Sequence, residues 1–426
     1  MKLAILGIDD TVERLVEIAL RDSKNQLVYI ADIDSKRTVS HWKENGAQKV
    51  DWEYLLAGNA KQRGFDALIV AAGGNSEVRM DQLRKLVQAA VPLLVVHPAF
   101  ESMLWCYELE MIRAESGGVL VPFLPARSHP VASRLRDWLS KGWAESESSE
   151  LGQVDQVVFE RAMHRPSRSS VQRQFAIDVD LIQFLCGDVK RLGAMGSPGK
   201  NAQEEFNAYG NLGVQLAGEG HLFTRWNVVP IETVPGGRLI VSGTRGKAIW
   251  SMPEGSNDWP LEVRRAGESR HELVEESQQW DPYVAALDRM QRAVQGEAVT
   301  PTWNTAARAV ELADTIQRSL KKNRTIELHQ EEFTDIGTFK GFMTSLGCAL
   351  LMGGLAVLVA ALIAAQLFKS LGWPRTAEFV GRIPYLLLAV FGIFLFMQLI
   401  LKIVGTKPGS PQPPGGDDSP APPTDH

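Results

Sequence analysis

The apolar residues of the first hundred positions fall into short blocks separated by helical patterns. Residues 2–7 (KLAILG) form an apolar block of strand length. Over 11–22, Val12, Leu15, Val16, Ile18 and Ala19 recur with the period of one helix face. QLVYIAD at 26–32 predicts a second strand, ending in an acid. A helix is expected around 35–46 and a short one near 51–57. DALIVAA at 66–72 and PLLVV at 92–96 predict two more strands, with a helix over 76–90 between them. Strands that alternate with helices over this length predict a parallel, doubly wound sheet of the Rossmann type, an α/β fold. Ligands of such sheets sit at the carboxyl ends of the strands. In this chain that edge is made by residues 7–12, 32–37, 72–76 and 96–100.

From about residue 150 the pattern changes. VDQVVFERAM, HLFTRWNVV, GGRLIVSGTRGKAIWSM and WPLEVRRA read as strands, in part alternating, with glycine pairs marking turns. Helical periods return at 281–295 and 304–320. The reading is an α+β domain with a mainly antiparallel open sheet and helices on one face. The expected boundaries are 1–125 for the first domain and 126–330 for the second, with a linker at 331–341.

Two long apolar runs follow. Phe342–Phe368 and Pro384–Leu401 contain no Asp, Glu, Lys or Arg. About 20 apolar residues are what a helix needs to cross ~30 Å of hydrocarbon. Two transmembrane helices, at 342–368 and 384–404, are therefore expected, followed by a disordered Pro-rich tail at 405–426. The membrane lipid bilayer is thus an expected partner. Ala349, Gly353, Ala356, Ala360 and Ala364 repeat at helical spacing, which lets another helix approach closely. That helix is either the second span or another copy. The start, MKLAILGIDD, has too short an apolar stretch for a signal peptide, so the soluble body is expected in the cytoplasm. Lys321, Lys322, Arg324, Lys340, Lys402 and Lys407 flank the spans outside, against Lys369, Arg375 and Arg382 in the loop, a bias that favours cytoplasmic ends.

The net charge of −5 offers no basic field for nucleic acid. Cys106, Cys186 and Cys348 show no metal-ligand spacing, and a disulfide framework is not expected.

LAILG at 3–7, YIADIDSKR at 29–37, FDALIVAAGG at 65–74, VPLLVVHPAF at 91–100, LIQFLCGDVKRLGA at 181–194 and SGTRGKAIW at 242–250 stand in a characteristic order and spacing. In this the chain resembles the Gfo/Idh/MocA oxidoreductases, over roughly residues 1–330. The resemblance implies NAD or NADP as cofactor and a sugar, cyclitol or anionic small molecule as substrate. It also implies a homo-oligomer, since family members are often dimers or tetramers through the second sheet. Along the cofactor it places Gly7, Asp32, Ala72, Gly73 and Pro98, with Asp32 as the ribose-binding acid.

Three family motifs depart from the pattern. GxGxxG would fall on Gly7, Asp9 and Val12, so only its first glycine is present. Asp10 and Glu13 have capping-box spacing, so acids are expected to satisfy the helix N–H groups themselves. A carboxylate ~4 Å from a phosphate charge costs about 4 kcal/mol at an effective dielectric of ~20. That is roughly a thousandfold in affinity. The Glu-Lys-Pro motif is Val96-His97-Pro98, and His97 is the candidate proton relay. The family's Asp-xxx-His registers on Arg173 and Ile177, with Asp178 or Asp180 as candidate substitutes. Arg127, His129, His164, Arg165, Arg168 and Arg173 are expected near the cleft, and Arg127, His164 and Arg165 are the candidate substrate ligands. Two functions follow from this reading. One is a membrane-anchored oxidoreductase with altered site chemistry. The other is a catalytically inactive protein that keeps the fold as a ligand-binding or scaffold module.

Overall fold

The computed structural model describes residues 1–33, 46–56, 64–144, 150–196, 209–218, 223–229, 234–267, 271–274 and 280–328, with isolated positions besides. The helix expected at 35–46, the linker, both apolar runs and the tail lie outside these residues. Among the described residues no helix is long and apolar enough to cross a membrane. Met1–His329 form one compact unit.

The first sheet has six parallel strands: β1 (Lys2–Leu6), β2 (Gln26–Ala31), β3 (Gln48–Lys49), β4 (Ala67–Val70), β5 (Leu93–Val96) and β6 (Leu120–Phe123). Their spatial order is β3-β2-β1-β4-β5-β6, so the winding reverses between β1 and β4. Strands covered on both faces read as continuous apolar runs, and Leu3, Ala4, Ile5 and Leu6 are all fully buried. Helices α1 (Asp10–Arg21), α2 (Ser76–Gln88) and α3 (Met103–Ser116) follow β1, β4 and β5. Leu3 and Ile5 pack with Val12, Leu15 and Val16 of α1. Ala4 and Leu6 face the other way, into a cluster with Met80 and Leu83 of α2. The helix at 103–116 was not evident from the sequence, where Leu104 and Met111 stand among its apolar residues yet are exposed in the fold.

A short turn, Pro125–Ser128, leads out of this sheet. Helix α4 (Pro130–Ala144) follows, then β7 (Val154–Ala162) and α5 (Arg168–Cys186). The remaining strands are β8 (Val189–Met195), β9 (Gly213–Gly218), β10 (Phe223–Val229), β11 (Gly236–Gly243), β12 (Gly246–Pro253), β13 (Leu261–Arg265), β14 (His271–Val274) and β15 (Ile326–Glu327). With β7 they form a nine-stranded sheet, ordered β14-β13-β12-β11-β7-β10-β9-β8-β15. It is antiparallel as expected except that β10 runs parallel to β7, with Trp226 opposite Phe159. A parallel pair needs a crossover, and α5 with the strands after it supplies one.

Helices α6 (Pro282–Val294) and α7 (Trp303–Lys322) close the unit. Ala286, Leu287 and Met290 of α6 return to the first sheet and cover its α1 face. Thr302 caps α7 by accepting the Thr305 N–H. Trp303 is fully buried and its Nε1–H donates to the Cys106 carbonyl at 2.9 Å, fastening α7 to α3. On the second sheet, Phe175 of α5 packs edge-on to Trp226 at 5.2 Å. The two sheets thus share one continuous core.

Candidate functional site

The switch point between β1 and β4 puts the turn after β1 beside the turn after β4. Gly7 ends β1 at φ +75, a conformation open to glycine and costly for other residues. Asp9 follows and caps α1, its Oδ1 accepting the Val12 N–H at 2.9 Å. The sequence pointed to Asp10 as the cap. Asp10 is instead the first helical residue, because Asp9 has the extended backbone a cap requires. The second oxygen of Asp9, Oδ2, accepts the Ala72 N–H at 2.9 Å. One carboxylate therefore ties the turn after β1 to the turn after β4. It holds two of the backbone donors that greet phosphate in folds of this type. Val12, at the place of the third glycine, is a fully buried core residue and contributes nothing to this edge.

Asp32 lies past the end of β2 at φ +55, and its side chain is 47 % exposed. It is not free, because Arg79 of α2 reaches it, Nη2 to Oδ2, at 3.3 Å. The Arg79 guanidinium lies directly over Gly7, where any side chain would collide with Nη2. Arg79 is 5 % exposed, and its Nε and Nη1 have no hydrogen-bond partner. Burial pushes its pKa down, against the pull of Asp32 and then Asp9. Arg79 is not among the residues that the sequence motifs single out. Its signal was there: Arg79, Leu83 and Leu86 share one face of α2 by spacing, and Leu83 and Leu86 are fully buried. Ala72 and Gly73 remain half-buried on the opposite lip.

The expected acid–base groups lie elsewhere. His97 follows β5 but is 5 % exposed, with its ring hydrogen-bonded to the Ala176 backbone and Nε2 unpartnered. Burial pushes its pKa down to about 3. Pro98 is buried beside it. Asp178 is a core residue, not a base at the cleft. Arg161 holds it from β7 through both Oδ2, at 2.9 Å, and Oδ1. Trp226 Nε1–H donates to Oδ2 at 2.9 Å, and Gln174 donates to Oδ1 at 3.1 Å. With both oxygens engaged, the carboxylate has no capacity left for a reacting proton.

The basic cluster also divides. Arg127 grips Asp180 with two bonds of 2.7 and 2.5 Å and lies over the Phe184 ring, so it is a structural clamp rather than a substrate ligand. His129 is fully buried among Trp250, Trp259 and Trp280, at ring distances of 5.0, 5.5 and 4.5 Å. Its Nδ1 accepts the Val131 N–H, and burial lowers its pKa to about 4. His164 and Arg165 are exposed on the turn before α5. Arg168 and Arg173 meet in a shallow cleft with room of about 50 Å³, lined also by Pro98, Glu101, Gln172 and Asp314. Its charge is mixed, so it has no clear preference for an anion. Among the described residues no group of three or more His, Cys, Asp or Glu could hold a metal.

The two buried histidines set a pH dependence. Both stay neutral in the fold, while the unfolded chain takes up protons below about 6.5. Their contribution is therefore complete above pH 6.5 and is lost as pH falls, to about 4 for His129 and about 3 for His97. The loss is as much as about 1.4 kcal/mol per pH unit for each histidine. Urea midpoints at pH 7 and 4.5 are expected to differ less in His129→Phe than in the natural chain. Equal differences would show that His129 is not the titrating group.

No family model matches the chain. No curated protein matches it either. Solved structures do share its fold, and they are oxidoreductases of the Gfo/Idh/MocA type. A myo-inositol dehydrogenase from Corynebacterium glutamicum superposes with a TM-score of 0.59 at 16% identity, covering 78% of this chain and 99% of that one. An oxidoreductase from Agrobacterium radiobacter, in complex with NAD+, L-tartaric acid and magnesium, gives 0.59 at 15%, covering 77% and 98%. An aldose-aldose oxidoreductase from Caulobacter crescentus gives 0.60 at 15%, covering 77% and 99%. At such identity the likeness is one of fold.

Proposed function

We propose that this chain is a Gfo/Idh/MocA-like oxidoreductase that takes NAD or NADP along the carboxyl edge of β1–β5. Its substrate would be a sugar or cyclitol-type molecule, met at a membrane surface. The observation that carries this reading is the switch point, where the left-handed turn at Gly7 ends β1 and the half-exposed acid Asp32 ends β2 beside it. That is the arrangement along which a dinucleotide's ribose and pyrophosphate run in such sheets. An inositol dehydrogenase, an aldose oxidoreductase and an NAD+ complex of the same fold support the choice of ligand classes. The cofactor would supply hydride acceptance. Gly7, Asp32 and Gly73 would lie along it. The fit at the pyrophosphate is poor, because the Asp9 carboxylate already holds the Val12 and Ala72 N–H groups. The two uncharged apolar runs support a tether to the bilayer, with the soluble body on the cytoplasmic side.

A second reading is a catalytically inactive, membrane-tethered ligand-binding or scaffold protein. One observation favours it: His97 is buried and Asp178 is saturated, so neither expected acid–base group faces a cleft. The test is the full-length protein with millimolar NAD+ or NADP+ and a panel of inositols, aldoses and sugar acids, followed at the absorbance of reduced nicotinamide. Turnover supports the first reading. Cofactor binding with no turnover across the panel supports the second. Retention of the full chain in membranes through an alkaline carbonate wash is expected in both, and release would remove the tether.

A further inference from the structure

Arg79 is a buried cation in an awkward state. Its side chain is 5 % exposed, yet Nε and Nη1 have no acceptor. Unpartnered buried donors are costly, more so when charged, and each such group in a native fold calls for an explanation. Among the described residues its charged partner is Asp32, at 3.3 Å and reached by Nη2 alone, which is long for a charge-assisted bond. Arg79 also lies over Gly7, at the strand ends between which an adenosine ribose would sit. In that place a free carboxylate accepts from a ribose 2′-hydroxyl, whereas a nearby arginine accommodates a 2′-phosphate. Here one oxygen of the carboxylate is held by Arg79 and the arginine is short of acceptors.

We propose that Arg79 is the specificity residue of this edge, turning from Asp32 to a phosphate on the adenosine ribose, so that the chain takes NADP(H) in preference to NAD(H). The inference depends on the nucleotide-binding reading above. A phosphate offers three acceptor oxygens and matches the guanidinium fork, which a hydroxyl does not. Leaving Asp32 also frees Arg79 from its contact with Gly7 and opens the ribose position. Asp32 itself opposes the phosphate by its charge, more weakly than a buried carboxylate would because it is half-exposed, so the preference is what Arg79 gains beyond that repulsion.

The experiment is a fluorescence titration of the full-length protein with NADPH and NADH, for the natural chain, Arg79→Met and Asp32→Asn. The natural chain is expected to prefer NADPH by about tenfold or more, the size of one charge-assisted bond. Arg79→Met should lose most of that preference by weakening NADPH, while NADH shifts less than about threefold. Asp32→Asn, altered at an exposed side chain, should keep or enlarge the preference. Binding of both nucleotides with no preference, a preference for NADH, or a preference unchanged in Arg79→Met would overturn the role of Arg79 and leave the nucleotide reading standing. Binding of neither nucleotide to any of the three proteins would overturn both.

Discussion

Asp9→Gly is expected to tighten NADPH and NADH binding by roughly a thousandfold. In the natural chain the Asp9 carboxylate accepts from Val12 and Ala72, so it stands where a pyrophosphate oxygen would be received. At ~4 Å and an effective dielectric of ~20, its charge opposes one phosphate charge by about 4 kcal/mol. Glycine removes both the charge and the side chain and leaves the two N–H groups free for the ligand. The helix cap loses little, since glycine at a cap costs only a few tenths of a kcal/mol relative to aspartate. Val12→Gly is not part of this test, because it would open the core beneath α1. Asp9→Asn separates the causes. If charge dominates, Asn gains most of the effect, and if occupancy dominates, only Gly does. Calorimetric titration of the three proteins measures this, and equal affinities would show that Asp9 does not guard the edge.

Asp178→Ala is expected to lower the stability of the fold by about 3 to 5 kcal/mol. The mutation strands Arg161, 8 % exposed at its side chain, without a counter-charge. It also leaves the Trp226 indole N–H, fully buried, without an acceptor. Arg161 lies over the Phe159 ring and cannot escape to water without disturbing β7. Replacing both charges, as in Arg161→Met with Asp178→Leu, should recover the part of the loss that comes from the stranded guanidinium, while the unpaired Trp226 N–H still costs about 1 to 3 kcal/mol. Urea unfolding followed by tryptophan fluorescence reads the effect. A loss below about 1 kcal/mol for Asp178→Ala would mean the pair is not the buried clamp described here.

Much of the fold was legible because it depends on periodicity. The blocks at 2–7, 26–32, 66–72 and 92–96 became β1, β2, β4 and β5, and the helical faces at 281–295 and 304–320 became α6 and α7. The order of short segments then pointed to the oxidoreductase fold, which the solved neighbours share. The parallel pairing of β10 with β7 was not legible, since a strand's own pattern does not state its partner's direction. The site was less readable still. Asp178 looked like a helix acid beside the family's catalytic register, but its partners come from β7 and β10. Arg127 looked like a free cation, but Asp180 lies 53 positions along the chain. His129 looked like part of a basic patch until three tryptophans from the second domain enclosed it. In each case the local sequence gives the charge, and only the fold says whether an opposite charge or an aromatic wall cancels it. The phosphate loop is the exception. The missing glycines and the acids at 9 and 10 were visible, and the structure changed only which acid does the capping.

The affinity of the natural full-length chain for NADPH and NADH, by calorimetry, tests most directly whether its own side chains hold this edge. Dissociation constants on the order of 0.1 mM for NADPH and 1 mM or weaker for NADH are expected, about a hundredfold and a thousandfold short of micromolar binding. Saturable binding of NADH near 1 µM, at the tight end of the usual range for enzyme substrates (about 1 µM to 1 mM), would mean that Asp9 and Arg79 yield freely to the cofactor, and would contradict it.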